Sequence, residues 1–200
     1  MEDYFKSLLQ RQEKLDIKVG LAKLEDWPVC KKLRLKSIEK HPKMFGVTRR
    51  RLKEEKSKTD QEWQDETSSV DMFSVLAWND SEPVGLGRAK KVESEEGIWH
   101  VRNGYVEDNF HGMGIQQRMI ALRLSEIIKR GGVWAVTGVN TSNAVSLHNV
   151  EKFGFKVSPD QDSALSKLKN LLKIPGFVTL ELDLTDPTVV NKINEVLNVG

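Results

Sequence analysis

Residues 106–116 read VEDNFHGMGIQ and place Gly112 and Gly114 between the end of a predicted strand and the start of a predicted helix. The first turn of a helix leaves backbone N–H groups without acceptors, and the helix dipole makes that end positive. Glycine has no Cβ, so the main chain can approach an oxyanion closely. The stretch therefore predicts an anion-binding loop. It lacks the Gly-Lys-Ser/Thr ending of a P-loop, and it follows a meander strand rather than opening a dinucleotide-binding unit.

The pattern on both sides of this loop predicts a mixed α/β fold. Before it, MFSVLAW, PVGLGRAKKV and GIWHVRNGYV alternate with turn-forming residues, which is typical of an antiparallel meander. After it come a helix over 114–130, the buried strand VWAVTGV, a helix over 143–153 and a strand over 177–184. The strand–helix–strand order indicates one crossover, so we expect a mixed, mostly antiparallel sheet flanked by helices.

Several helices are expected outside this centre. The run Leu24–Pro28 opens one that ends at His41-Pro42, and the polar residues 49–67 are interpreted as a solvated helix with Leu52 and Trp63 facing inward. Further helices are expected over 4–15, about 160–173 and 186–198. With no repeat or linker, residues 1–200 are expected to form a single domain.

Composition restricts the class of protein. The 200 residues are 38% hydrophobic and 30% charged, and 31 basic against 29 acidic side chains give a net charge of +2. These values indicate one globular domain without a general polyanion-binding surface, so no nucleic-acid partner is expected. The single cysteine, Cys30, excludes an internal disulfide framework and a Cys-based zinc cluster, and no metal site is predicted. No apolar run approaches the roughly 20 residues that a membrane span needs, and the first residues lack the apolar segment of a secretory signal. We therefore expect no membrane partner and a cytoplasmic location.

Three stretches together resemble the GNAT (GCN5-related N-acetyltransferase) superfamily. The loop follows the family pattern V-x-P-x-x-R/Q-G-x-G-x-G/A at Val106, Gly112, Gly114 and Ile115. Among its departures from the pattern, a histidine stands where Arg or Gln is usual and Gln116 replaces the final small residue. VNTSNAVSLHNVEKFGF (139–155) resembles the second family motif, and SIEKHPKMFGVT (37–48) resembles the first-helix region. The resemblance covers about residues 17–184.

The resemblance implies a GNAT-like sheet splayed between strands 4 and 5, with acetyl-CoA as the co-substrate. Pantetheine would pair with the strand end at a bulge near Gly104, and Asn143 would bind the pantetheine arm or serve as a helix N-cap. Arg118 would reach a phosphate or remain a solvated charge. The expected coenzyme-binding set, with backbone N–H groups from His111 to Gln116 on the pyrophosphate, is Gly104, Tyr105, Val106, His111, Gly112, Met113, Gly114, Ile115, Gln116 and Asn143.

The implied chemistry is direct acyl transfer to a neutral amine, which needs a base and a proton donor for the leaving thiolate. His100, in the fourth strand, is the candidate base if it titrates near neutral pH, and a solvent-facing or sheet-satisfied histidine is the alternative. Glu107 and Asp108 are weaker candidates. Val150 stands at the position of the family's tyrosine and cannot donate a proton. Tyr105 would be the donor if its ring turned inward.

The acceptor side is less specific. Trp27, Phe45, Trp63 and Trp99 either build a pocket or pack in the core, and Lys90, Lys91 and Arg102 either favour an anionic acceptor or cover sheet edges. The leading hypothesis is an acetyl-CoA-dependent N-acetyltransferase acting on a primary amine of a small molecule or peptide, as a monomer or homodimer. The rival is a binding module that holds acyl-CoA without turnover. A third reading is a nucleotide-phosphate binder of another fold.

Overall fold

A computed structural model of the chain describes residues 16–157 and 175–198. The helices expected over 4–15 and 160–173 lie outside the described residues. The strands are β1 (Ile17–Leu21), β2 (Met72–Asn79), β3 (Glu82–Lys91), β4 (Ile98–Val106), β5 (Trp134–Asn140), β6 (Lys156–Val157) and β7 (Phe177–Asp183). The helices are α1 (Trp27–Lys40), α2 (Arg49–Ser57), α3 (Asp60–Thr67), α4 (Ile115–Lys129), α5 (Ala144–Glu151) and α6 (Pro187–Asn198).

Seven strands of the described chain form one sheet in the order β1-β2-β3-β4-β5-β7-β6. All neighbouring strands are antiparallel except β4 and β5, which run parallel across the crossover that contains α4. This arrangement is the expected mixed, mostly antiparallel sheet. The short strand β6 was not predicted, because two residues carry no readable alternation.

Helices cover both faces of the sheet. On one face α4 packs against β1–β4 and against α6, and it buries Met119, Ile120, Leu124 and Ile127. On the other face α1 packs against β3 and β4, and α2 and α3 pack against α1. Cys30 lies fully buried in α1, and burial raises the pKa of its thiol, as suits an inert core residue. None of the helices in the described ranges is long and apolar enough to cross a membrane.

The polar segment 49–67 forms two helices, and the single helix expected there is wrong. Thr59 starts α3 with a capping box, in which its hydroxyl accepts from the Glu62 N–H and the Glu62 carboxylate accepts from the Thr59 N–H. Such a cap favours a new helix start over continuation of α2. Trp63 is fully buried as expected, but the buried residue of α2 is Glu55 and not Leu52.

Glu55 faces inward because it pairs with cations. Its Oε1 lies 3.2 Å from Arg34 Nη2, and its Oε2 lies 2.8 Å from Lys58 Nζ. Burial alone would raise the pKa of Glu55, but Arg34 and Lys58 together outweigh it and lower the pKa to about 2. Burial lowers the pKa of Arg34 to about 10 despite its attraction to Glu55. The pair therefore joins α1 to α2 as a charged contact.

Glu55→Gln is expected to lower the free energy of unfolding by roughly 3 kcal/mol, because it leaves the Arg34 guanidinium buried without its counter-charge. Urea unfolding at pH 7 measures the loss. The neighbouring Glu54→Gln is the control, since Glu54 pairs with Arg50 on the exposed side of α2, and its effect should stay within about 0.5 kcal/mol.

The same pair predicts a pH dependence. The pKa of the Glu55 carboxyl is lower in the folded chain than its ordinary value of 4.5, so its contribution to stability is complete above that value and is lost as pH falls toward about 2. The stability difference between wild type and Glu55→Gln should therefore shrink over this acid range. A variant as stable as wild type at pH 7 would contradict the assignment.

Candidate functional site

The sheet is split between β4 and β5. The two strands pair only where Ile98, Trp99 and His100 face Trp134, Ala135 and Val136. Beyond His100 the pairing stops, while β5 continues to pair with β7 as far as Asn140. The carboxyl-terminal halves of β4 and β5 therefore diverge and leave an opening in the sheet.

A bulge in β4 accompanies this divergence. Leu86 of β3 pairs with Tyr105 and Arg88 pairs with Arg102, so Gly87 lies opposite two residues, Asn103 and Gly104. Asn103 takes a left-handed φ of 54°, a conformation that asparagine tolerates better than most residues. A bulge locally increases the twist of a strand and bends it away from a neighbour. The bulge expected at Gly104 is thus present where the strands part.

The opening leads into a cavity of about 520 Å³, a size typical of small-molecule sites. Four of the predicted site residues line it, namely His100, Gly104, Gln116 and Asn143. Its walls come from β3, β4, β5, β7, α1, α2, α4, α5 and the segment after α1 that contains Met44 and Phe45. The cavity therefore reaches from the glycine loop side of the sheet to the face that α1 and α2 cover.

The glycine loop presents unbonded amides at the start of α4. Within the described residues, the backbone N–H groups from Gly112 to Gln117 have no hydrogen-bond acceptor, and the first helical bond runs from Arg118 N to Gly114 O. Gly112 and Gly114 have φ values of 82° and 70°, and a Cβ built on either would meet no atom within 4 Å. Left-handed glycines before a helix form a concave nest of amides that suits an anion.

One backbone N–H group that was expected to bind the pyrophosphate, that of His111, is not free. The His111 N–H donates to the Asp108 carbonyl at 3.2 Å, so it is already occupied and the free run begins at Gly112. The His111 side chain instead holds the loop, because its Nε2 donates to the Val106 carbonyl at 2.9 Å. That contact uses one of the strand groups expected to pair with pantetheine. Met113 packs its side chain against the core and anchors the loop from the other side.

Gln116 lies directly over Gly104. A Cβ placed on Gly104 would come within 2.4 Å of Gln116 Nε2, so only glycine allows this close approach. Gln116 Oε1 is buried and has no hydrogen-bond partner within the described residues. The side chain that replaces the family's small residue therefore occupies part of the slot and carries an unused acceptor beside it.

Asn143 serves as a helix cap and also lines the cavity. Its Oδ1 accepts from the Ser146 N–H at 3.0 Å and so caps α5. Its Nδ2 makes no hydrogen bond within the described residues, so the amide keeps a donor for a ligand. Asn143 can therefore cap the helix and bind the pantetheine arm at the same time.

His100 does not titrate near neutral pH, and that expectation is wrong. Its imidazole lines the cavity and is partly exposed to it. Burial lowers its pKa, and the positive charges of Arg102 and Arg51 lower it further, to about 3. The ring is therefore neutral at physiological pH and can accept a proton, but only weakly.

The Tyr105 ring does not turn inward, so it does not meet the condition for donating a proton to the leaving thiolate. Its ring packs with Ala22, Cys30 and Leu33 on the α1 face, and it is not part of the cavity wall. Its hydroxyl donates to Glu107 at 3.0 Å, and burial followed by the Glu107 carboxylate raises its pKa beyond the usual range. Successive residues of a strand face opposite sides of the sheet, so the neighbouring Gly104 faces the cavity instead.

The helix that carries Val150 offers another hydroxyl. Val150 is buried at the cavity wall and His148 is exposed away from it, as the helical geometry predicted. Ser146 lies one turn before Val150 and lines the same cavity, and its hydroxyl has no hydrogen-bond partner within the described residues. Ser146 belongs to the second motif and lies four residues before Val150. This spacing places both residues on one face of the helix, so the sequence could have identified Ser146 as a residue of the same site.

Other charged candidates have structural partners. Arg118 Nη1 donates to the Ile17 carbonyl at 3.1 Å and fixes β1 to α4. Glu107 pairs with Lys36 at 2.6 Å, and Asp108 pairs with Lys40 at the same distance. None of these three side chains lines the cavity. Arg34 and Arg51, which sequence reasoning did not single out, do line it, and only the packing of α1 and α2 brings them there.

A sequence profile of the acetyltransferase (GNAT) family matches residues 35–155, which is more than half of the chain. The matched range includes the bulged strand, the glycine loop and α5. An acyl-coenzyme A cleft is the class of site that this arrangement defines, and the chain belongs to the GNAT family. Membership confirms the expected class of enzyme, an N-acetyltransferase with acetyl-CoA as co-substrate. The third reading, a phosphate binder of another fold, is wrong.

Solved structures share the fold at low sequence identity. The PaiA N-acetyltransferase from Thermoplasma acidophilum, solved with coenzyme A, is 17% identical with a TM-score of 0.62, covering 84% of this chain and 99% of that one. YncA from Salmonella typhimurium, solved with acetyl-CoA, is 13% identical with a TM-score of 0.65, covering 86% and 95%. The ribosomal-protein-S18-alanine N-acetyltransferase from Escherichia coli is 11% identical with a TM-score of 0.57, covering 85% and 95%. These likenesses confirm the fold. No curated protein sequence matches the chain.

Gly104→Ala is expected to weaken coenzyme A binding, because the new methyl group displaces Gln116 into the cavity. The fold should tolerate the change, since the displaced atoms end a flexible side chain. Adding Gln116→Ala should restore part of the affinity, with a coupling free energy of about 1 kcal/mol by isothermal titration calorimetry. Gly20→Ala is the matched control on β1, where a Cβ would meet no atom within 4 Å and the residue does not line the cavity. Independent effects of the two substitutions would contradict this contact.

Proposed function

We propose that the chain transfers an acetyl group from acetyl-CoA directly to the primary amine of a small molecule or peptide. The observation that carries this proposal is the run of unbonded amides from Gly112 to Gln117, which lies beside the opening between β4 and β5. These amides suit a diphosphate, and the opening suits a narrow chain that passes from that diphosphate toward the other face of the sheet. The solved relatives with coenzyme A or acetyl-CoA support the same ligand.

Different residues along this path bind different parts of the coenzyme. The amides of the glycine loop hold the pyrophosphate, and the bulged edge at Gly104 receives the pantetheine arm. Gln116 Oε1, which is buried without a partner among the described residues, accepts from an amide N–H of that arm, and Asn143 Nδ2 donates to one of its carbonyls. Burying a polar atom without a partner is costly, so a ligand that satisfies it gains affinity.

The acceptor reacts as a neutral amine at the far end of the cavity. Its nitrogen attacks the thioester carbonyl carbon, a C–N bond forms, the C–S bond breaks, and the electron pair leaves on sulfur. His100 lines this part of the cavity and, being neutral, accepts the proton that the amine nitrogen loses. The neighbouring Arg51 and Arg102 disfavour a bound ammonium ion, which increases the neutral fraction of the amine.

The leaving thiolate takes its proton from water, and the Ser146 hydroxyl stabilises it by donating a hydrogen bond to the sulfur. Val150 has no proton to give, and Tyr105 faces the other side of the sheet. The Ser146 hydroxyl, on the same helix face as Val150, is free of partners within the described residues. A thiolate is a stable enough leaving group for a weak donor to suffice. We place this activity in the cytoplasm, where acetyl-CoA is available.

The alternative is a module of the same fold that binds acyl-CoA without turnover, and Val150 is the observation that favours it. Purified chain incubated with acetyl-CoA and a panel of primary amines separates the two, with release of the free thiol as the signal. Amine-dependent release above the rate without protein supports the enzyme. Coenzyme A binding by calorimetry without any release supports the module.

His100→Ala is expected to lower kcat by ~10²-fold, because it removes the base. The dissociation constant for coenzyme A should not change, since His100 lies on the acceptor side of the bulge. His148→Ala is the control, as this exposed histidine on α5 does not line the cavity. Steady-state thiol release with a fixed amine measures both. Equal kcat in wild type and His100→Ala would remove His100 from the mechanism.

A further inference from the structure

The wall of the cavity is strongly positive. Its charged residues are Arg34, Arg51, Lys90, Lys91, Glu93, Arg102 and Arg123. Two of these cations are already engaged. Arg123 donates to the backbone carbonyls of Met119, Arg88 and Arg102, and Lys90 pairs with Glu93 at 2.9 Å.

Arg34 is buried with part of its guanidinium unused. Only 2% of the residue is exposed, and its Nη2 contacts Glu55. Its Nε and Nη1 are buried and have no hydrogen-bond partner within the described residues. The guanidinium lies 5.3 Å from the ring centre of Phe45, which also lines the cavity. A buried N–H group without an acceptor is uncommon, and here it belongs to a cation at a ligand cavity.

Arg51 and Arg102 have no hydrogen bond or ion pair from their side chains within the described residues. The carboxylates that attract Arg102 are occupied, since Glu55 pairs with Arg34 and Lys58, and Glu66 pairs with Arg88 and Lys58. Burial lowers the pKa of Arg102, and the like charges of Arg51 and Arg88 lower it further. Positive charge therefore exceeds negative charge in this buried layer, which is an unfavourable arrangement unless an anion joins it.

We propose that Arg34, Arg51 and Arg102, the arginine cluster, bind an anionic group of the acceptor, so the substrate class is an amine that also carries a carboxylate or a phosphate. This inference rests on the proposed function. Guanidinium groups bind both anions through paired N–H donors, and the unused nitrogens of Arg34 provide such donors. Free amino acids and phosphorylated amines are the two sources of this chemistry.

An anion at the arginine cluster also assists the reaction. With the anion held there, the acceptor nitrogen is free to point toward the opening between β4 and β5. An acceptor without an anion lacks this orientation. The cluster therefore selects the acceptor through binding and through the position of its amine.

The test compares matched acceptors and matched variants. The acceptors are the common amino acids, their carboxamides, O-phosphoethanolamine and ethanolamine, each assayed for thiol release with acetyl-CoA. The variants are Arg51→Gln and Arg102→Gln, with Arg50→Gln as the control, because Arg50 adjoins Arg51 but its side chain is 90% exposed. All three variants lose one positive charge.

We expect kcat/KM for an anionic acceptor to exceed that for its uncharged partner by at least about tenfold. Arg51→Gln and Arg102→Gln should each reduce this preference by about tenfold, while Arg50→Gln and the KM for acetyl-CoA stay unchanged. Preference for amino acids identifies the carboxylate source, and preference for O-phosphoethanolamine identifies the phosphate source. Equal rates for charged and uncharged partners, with no change in either cluster variant, would overturn the inference while leaving the proposed function intact.

If no amine releases thiol although coenzyme A binds, the proposed function fails and the cluster is tested separately. Sodium phosphate and N-acetylglycine are then added in thermal melts. A rise in Tm for wild type and Arg50→Gln that is smaller in Arg51→Gln supports an anion site. Equal shifts in all three proteins overturn it.

Discussion

The hydrogen bonds between β4 and β5 end after His100, and the functional architecture depends on that interruption. A continuous pairing would close the sheet and leave no passage between its faces. The extra residue in β4 at Asn103 and Gly104 bends the strand away, while β5 stays in the sheet through its full pairing with β7. The cavity and the approach to the glycine loop both follow from this local change in register.

The loop before α4 could be predicted from sequence because its signal is local. Two glycines, a strand before them and an apolar helix after them specify both the backbone conformation and the unbonded amides. The bulge at Gly104 could be expected from the family resemblance alone. The His111 amide was assigned wrongly, because the short turn over Asp108–Phe110 that occupies it has no distinctive composition.

The features that sequence could not predict depend on long-range packing. The pKa of His100 depends on Arg51, which lies in a helix distant along the chain, and its proximity appears only in the folded structure. The face of the sheet toward which the Tyr105 ring points depends on the bulge before it, because an extra residue in a strand reverses the alternation of the side chains that follow. The charged residues of a polar helix usually face solvent. Glu55 faces inward because Arg34 and Lys58 lie beside it. The division of 49–67 into two helices was readable from Thr59 and Glu62, but the run of charges obscured it.

The acceptor face and the coenzyme face differ in how they present charge. The loop offers neutral amides whose donors converge, whereas the opposite wall offers side-chain cations that exceed their carboxylate partners. Retaining unpaired charge in a buried layer reduces stability, and such arrangements persist where a ligand uses them. The two surfaces meet at the opening between β4 and β5, which is where a thioester and an amine would have to meet.

The most direct test of the amide nest is the binding of coenzyme A to Gly112→Asp and Gly112→Asn. Both residues tolerate a left-handed φ, and the space around Gly112 admits either side chain, so the pair differs mainly in one negative charge. If the nest holds the diphosphate, calorimetry should show the aspartate variant binding at least about tenfold more weakly than the asparagine variant, with equal Tm in the absence of ligand. Equal affinity for coenzyme A in the two variants would contradict the nest as the site of the diphosphate.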